Sequence, residues 1–264
     1  MSSDPNAKTR DLSFTRDGAI AILTLTRPHK LNALTLEMHR GIFDALRTVR
    51  QDKSIKVMVI TGTGRAFCAG DDMKESDPRD GVVPPEAETE IAWHNMIRDM
   101  RSIPKPIIAA VNGLACGAGG GLLLGSDIRI ASDKAQFADI FIRRGIAGGA
   151  YLLTHTVGTA RALDLIFTGD FIDAAEGYRI GIFNRVVPSE RLMEEVLTYA
   201  RRLANGPSQS LGYSKLTVYQ VEALSLSDGL RAEEFAKLSS LRGTEVREGI
   251  AAFNDGRESQ FGRQ

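Results

Sequence analysis

The chain has 264 residues with 43% hydrophobic and 25% charged content, ordinary values for one globular domain with a terminal extension. Lys+Arg and Asp+Glu both number 33. No global field therefore draws in nucleic acid or an anionic membrane, and any anion site must be local. No apolar run reaches the about 18 residues a membrane span needs. The polar start, residues 1–10, reads as a loose leader rather than a secretory signal.

Leu12 to Thr15 and Ala19 to Thr26 flank Asp17-Gly18, a two-residue hairpin signal. Thr35 then caps a helix with Met38, Ile42, Leu46 and Val49 on one face. Lys56 to Thr61 is a buried-strand pattern. It leads into a small-residue loop, Arg65-Ala66-Phe67-Cys68-Ala69-Gly70-Asp71-Asp72-Met73-Lys74. The stretch Asp77 to Glu88 is rich in Pro, Asp and Glu and reads as a surface loop. Ala92, Trp93, Met96, Met100 and Ile103 have helical spacing.

Lys105 to Ser132 organises the chain. Ile107 to Val111 is a second strand pattern buried on both faces. Asn112-Gly113 turns the chain, and Gly117, Gly119, Gly120 and Gly121 open an apolar segment that reads as helix. One reading of these glycines is close helix-to-sheet packing. The other is a backbone N–H left free for a negative oxygen. The spacing fits neither a dinucleotide fingerprint nor a P-loop. The loop before Lys74 has the same strand-then-small-residue form, so two loops could each give one N–H to a single oxygen.

Leu152 to Val157, Ala160 to Phe167 and the segment from Asp173 read as short helices, and Asn184 to Val187 as a short strand. Leu192, Val196, Ala200 and Leu203 share one helix face, which ends at Asn205-Gly206-Pro207. Three more helices follow, the last bringing Val246, Ile250 and Phe253 together. Alternating strands and helices imply parallel pairing and right-handed crossovers, an α/β fold. Cys68 and Cys116 sit in the two key loops. They read as small buried residues in a reducing compartment, here taken as cytoplasmic.

Several ordered motifs carry a resemblance. They are Arg27-Pro28, Asn32-Ala33-Leu34, the loop from Arg65 to Lys74, Pro106 to Gly113, Ser126 to Ala131, and Phe167-Thr168-Gly169. Together they resemble the crotonase superfamily, the enoyl-CoA hydratase/isomerase fold. The resemblance implies a spiral of ββα turns over residues 11–188 and a helical oligomerisation region over 189–264. It implies an acyl-CoA thioester as partner, no cofactor beyond that coenzyme A, and a homotrimer or a hexamer made of two trimers.

The resemblance also assigns sites. Two N–H donors for the thioester carbonyl would come from Asp71 and Ala118, the latter beside Gly117. Lys30, Leu31, Ala66, Ala69, Asp72, Met73 and Lys74 would line the substrate groove, with Arg257 near the distal phosphate. Hydratases of the family place two glutamates on a water. At those positions stand Gly121 and Phe141, the second kept as a substrate-pocket residue. Some isomerases use an aspartate in the loop that here reads Ile146 to Ala150, which holds no acid. The candidates left to move a proton are Asp71 first and Asp139 second. Glu75, His94, Tyr151 and His155 rank behind them. The expected activity is that of a hydratase/isomerase-family enzyme lacking both hydratase glutamates. The alternatives are a thioester-binding protein without hydratase activity, or a hydrolase or decarboxylase of this fold.

Overall fold

A computed structural model describes residues 8–9, 11–73 and 93–261. The expected surface loop at 77–88 and Lys74 and Glu75 lie outside these. Most of the expected leader does too, but Lys8–Thr9 (β1) is described and pairs with β2, Leu12–Asp17. β3, Ile20–Leu25, returns antiparallel to β2 across a turn in which Gly18 has φ 58°. Helix α1, Leu36–Gln51, begins where Thr35 Oγ1 accepts the Met38 N–H at 3.2 Å. Its Met38, Ile42, Leu46 and Val49 are buried, as the 3.6-residue spacing predicts.

The chain then repeats a pattern of two strands and a helix. β4 (Val57–Gly62), β6 (Ile107–Val111) and β8 (Ile128–Ser132) are the first strands of successive turns. β5 (Ala66–Cys68), β7 (Leu114–Cys116) and β9 (Gln136–Ala138) are the second strands. α2 (Trp93–Ser102) and α3 (Ala118–Gly125) follow the first two turns, and α4 (Ala150–Val157) and α5 (Thr159–Thr168) follow the third. β10 (Ile172–Asp173), α6 (Ala174–Ile180) and β11 (Arg185–Val187) come next. The large sheet runs β1-β2-β3-β4-β6-β8-β11 and is parallel from β3 onward. The small sheet runs β10-β9-β7-β5, with β5, β7 and β9 parallel.

Both faces of the large sheet are covered, which explains its unbroken apolar strands. Val57, Val59, Ile108, Ala110 and Ile130 point to one side. There they meet Leu192, Val196 and Ala200 of α7, Leu192–Ala204. Met58, Ile60, Ile107, Ala109 and Val111 point to the main core with α1, α2 and α3. The alternation is the period-two geometry of a strand.

Three helices close the chain: α8 (Ser208–Val221), α9 (Leu226–Leu241) and α10 (Glu245–Asp255). A buried ion pair fastens α8 to the core: Lys215 Nζ lies 2.8 Å from Asp127 Oδ2. Asp127 also accepts the Tyr219 hydroxyl at 2.8 Å and the Ile107 N–H at 2.7 Å. Beyond this anchor the helices are poorly covered. Leu226 is 81% exposed, Phe235 72% and Phe253 86%. Val246, Ile250 and Phe253 do share a helix, yet Ile250 and Phe253 face outward in the single chain. Among the described residues no helix is long and apolar enough to cross a membrane.

Candidate active site

Gly119, Gly120 and Gly121 lie inside α3, while Gly117 precedes it. Two of the three helical glycines press against neighbours where no Cβ would fit. An ideal Cβ on Gly119 would lie 2.1 Å from the Cys68 carbonyl oxygen, and one on Gly121 would lie 1.7 Å from Cζ2 of Trp93. Close packing therefore explains Gly119 and Gly121. Gly117 plays a different part. Its φ of 54° turns the chain from β7 into α3 and leaves Ala118 as the first helical residue.

The two small-residue loops meet here. Gly70, with φ 96°, sits so close that a Cβ on it would be 3.2 Å from the Ala118 nitrogen. An isolated parallel bridge joins Leu34 to Asp71. Its bonds run from Leu34 N–H to Gly70 O at 2.8 Å and from Asp72 N–H to Leu34 O at 2.8 Å. That register skips the Asp71 N–H, which faces the other way. The Ala118 N–H is free of an intrahelical acceptor because it opens α3. Among the described residues no backbone acceptor takes either N–H.

Side chains hold this arrangement in place. Asn32, fully buried at φ 56°, accepts the Arg27 N–H at 2.9 Å. It donates to the carbonyls of Thr63, Ala66 and Phe67 at 3.0, 2.8 and 3.2 Å. Asn112 ties the same loop through Gly64 O at 2.9 Å and Ala66 O at 3.0 Å. Asp72 forms a half-buried ion pair with Arg27, 2.7 Å from Nη1 to Oδ2. Asp71 Oδ1 lies 2.8 Å from Nε2 of the buried His39. The other ring nitrogen of His39 is buried without a partner. Nε2 is therefore the ring nitrogen through which His39 meets the carboxylate.

Beside Gly117 lies a chamber of about 100 Å³. Trp93, Phe137, Phe141, Leu124 and Leu152 supply apolar wall, and among the described residues Asp139 is the single carboxylate lining it. Asp139 is only 4% exposed, and its Oδ1 is buried with no hydrogen-bond partner. Its Oδ2 packs on Gly149: a Cβ there would lie 1.6 Å away. Burial pushes this carboxyl up to about 6, against the opposing pull of the Phe141 N–H.

The structure thus gathers Asp139, Phe141 and Gly117 at one chamber, with Gly70 packed against Gly117 and the Ala118 nitrogen and Asp71 following Gly70. Leu31 is tied to the first loop, its carbonyl accepting the Ala69 N–H at 3.0 Å. Lys30 and Met73 are exposed beside that loop, while Ala66 is buried in β5. Lys74 and Glu75 lie outside the described residues. Tyr151 is 59% exposed at the chamber rim. His155 Nδ1 lies 2.8 Å from the Tyr151 carbonyl oxygen. His94 lines a separate, larger cavity. Arg257 is paired with Glu248 at 2.7 Å. Burial pushes the Cys116 thiol up to about 11 and raises Cys68 as well, so neither is a ready nucleophile. Sequence reasoning missed His39 as the partner of Asp71 and Trp93 as the wall over Gly121.

The enoyl-CoA hydratase/isomerase family model matches residues 15–264. The chain belongs to this family. It is 35% identical over 255 residues to the 1,2-epoxyphenylacetyl-CoA isomerase of Escherichia coli strain K12, covering 95% of this chain and 97% of that protein. Among solved structures, an enoyl-CoA hydratase from Polaromonas sp. JS666 is 30% identical with a TM-score of 0.89, covering 94% of this chain and 98% of the other. The enoyl-CoA hydratase from Bacillus anthracis is 27% identical, also with a TM-score of 0.89, covering 97% and 100%. Family membership supports acyl-CoA chemistry and the ββα spiral.

Proposed function

We propose that this chain is an isomerase that moves a proton along an acyl-CoA thioester, with Asp139 as its acid/base. One observation carries the reading: among the described residues, the chamber beside the two loops is lined by a single carboxylate, buried and raised toward neutrality. Hydration by this family's route asks two carboxylates to act on one water. A 1,3-proton shift needs one group that takes a proton and gives it back.

The Asp71 and Ala118 N–H groups would bind the thioester carbonyl oxygen, the role of an oxyanion hole. The Asp139 carboxylate removes an α-proton from a 3-enoyl thioester, and the electron pair moves onto that oxygen as a dienolate. The protonated Asp139 then delivers the same proton to the γ-carbon, and the double bond comes to rest beside the carbonyl. A carboxyl near 6 is suited to both halves at neutral pH. No cofactor beyond the coenzyme A of the substrate enters these steps. Lys30, Leu31, Ala69 and Met73 would line the approach of the coenzyme.

Gly121 and Phe141 stand where the resemblance expects glutamates, and the Trp93 ring fills the space over Gly121. Both features favour isomerisation over hydration. The exposed apolar residues of α8, α9 and α10 favour a trimer, or two trimers, as the working form. The two free cysteines suit the reducing cytoplasm.

The test is to supply purified protein with 3-enoyl-CoA and, separately, with crotonyl-CoA. The reading expects conjugation of the first to outpace hydration of the second. Rapid hydration with no isomerisation would reject it. Tight binding of both thioesters with no turnover of either would favour a binding protein.

A further inference from the structure

The chamber beside Asp139 adjoins a second cavity. The second cavity, about 750 Å³ among the described residues, lies between α2, α4 and α8. The two spaces share three lining residues, Trp93, Tyr151 and Leu152. Trp93 belongs to α2, and its indole reaches across to touch the backbone of α3 at Gly121. Leu152 belongs to the core, only 7% exposed, and Tyr151 stands at the open rim. Of the three, Trp93 is the side chain that packs on Gly121 at the inner chamber while also lining the larger space.

The volumes decide what fits on each side. A cavity of about 150 Å³ is what one benzene ring occupies. The inner chamber, at about 100 Å³, is smaller. The outer cavity has room for a long hydrocarbon, and its walls suit one: Ile97, Leu152, Leu216 and the faces of Tyr151 and Tyr219. Two cations also line it, the exposed Arg98 and the half-buried Arg101. Arg101 is paired with Glu222 at 3.0 Å, and its guanidinium lies 4.5 Å from the Tyr219 ring centroid.

We propose that Trp93 determines acyl-chain specificity. It limits the acyl group to one smaller than a benzene ring and shuts off an apolar extension that would otherwise take a long or aryl chain. The inference rests on the thioester reading above and adds to it the substrate class.

The experiment measures dissociation constants for saturated thioesters, which bind without turnover. Butanoyl-, decanoyl- and phenylacetyl-CoA are titrated against the wild-type protein, Trp93→Ala and Trp93→Phe. The wild type should bind butanoyl-CoA at least as tightly as decanoyl-CoA. Trp93→Ala should tighten decanoyl-CoA at least about tenfold, the gain expected when roughly two methylenes enter apolar space. Butanoyl-CoA should change far less, and Trp93→Phe should stay close to wild type. Adding Leu216→Trp to Trp93→Ala refills the outer cavity and should cancel the gain. Trp93→Leu gives the same readout if the alanine variant unfolds. Tight decanoyl-CoA binding by wild type, or an unchanged chain-length order in Trp93→Ala or Trp93→Leu, overturns the proposal. If wild-type protein binds none of the thioesters, the thioester reading itself fails.

Discussion

Trp93 and Gly121 are in direct contact, and the contact exists because Gly121 has no side chain. A Cβ at Gly121 would lie 1.7 Å from the indole, deep inside van der Waals contact. Trp93 and a carboxylate at position 121 therefore exclude each other, so this pair alone disfavours the two-glutamate arrangement.

Gly121→Ala should destabilise the protein by about 1–3 kcal/mol, the usual cost of overpacking. In a Trp93→Ala background the methyl has room, and the added cost should vanish. A double-mutant cycle by denaturant unfolding reads this directly. Equal costs in both backgrounds would mean that the ring does not hold its place over Gly121. For the same reason Gly121→Glu should not create hydratase activity while Trp93 is present.

Asp139 predicts a pH dependence in both rate and stability. As a base it must be ionised, so kcat/KM should rise with pH through about 6 and then level off. Its folded-state pKa is raised above the ordinary 3.8, so the native state holds its proton longer than the unfolded chain. Its stabilising contribution is full below pH 3.8 and is lost as pH rises through about 6. Asp139→Asn should therefore stabilise the fold at pH 8 by roughly 1–3 kcal/mol and have little effect at pH 3.5. Thermal unfolding of both proteins at the two pH values checks the sign.

Asp71 and Asp139 can be told apart by their amides. Asp71→Asn keeps the backbone N–H and a group able to meet His39, so it should lower kcat by less than about tenfold. Asp139→Asn removes the acid/base and should lower kcat by about 10²–10⁴. The reverse order would make the His39–Asp71 pair the proton carrier. Steady-state kinetics on the 3-enoyl thioester decides between them.

The exposed faces of α9 and α10 predict self-association. Light scattering at micromolar concentration should return a trimer or a hexamer. Phe253→Glu and Phe235→Glu together should shift it toward monomer, since both rings are largely exposed in the single chain.

The sheet and its helices were legible because their signals are local. The apolar runs at Val57 and Ile107, the Thr35 cap and the Leu192 to Ala200 face each sit within one element. The two loops were legible as motifs, since glycines after a strand mark close backbone approach. Their side-chain company was not. His39 meets Asp71 from 32 positions away, and nothing in the spacing of α1 marks that residue as polar business in a buried face. Trp93 read as one more apolar residue of a helix, and its target is a glycine, which leaves no partner to look for. Asp139 stood in the sequence as the second proton-moving candidate, but nothing there marked it as buried. Its burial comes from Gly149 packing on the carboxylate and from the Phe141 ring beside it, both set by the turn that follows.

The most direct test of one-carboxylate catalysis is α-proton exchange. Butanoyl-CoA is incubated with the protein in deuterium oxide, and deuterium at the α-carbon is followed by NMR. The account predicts enzyme-dependent exchange whose rate rises with pH through about 6 and falls by about 10²–10⁴ in Asp139→Asn. Exchange that persists undiminished in Asp139→Asn would contradict it.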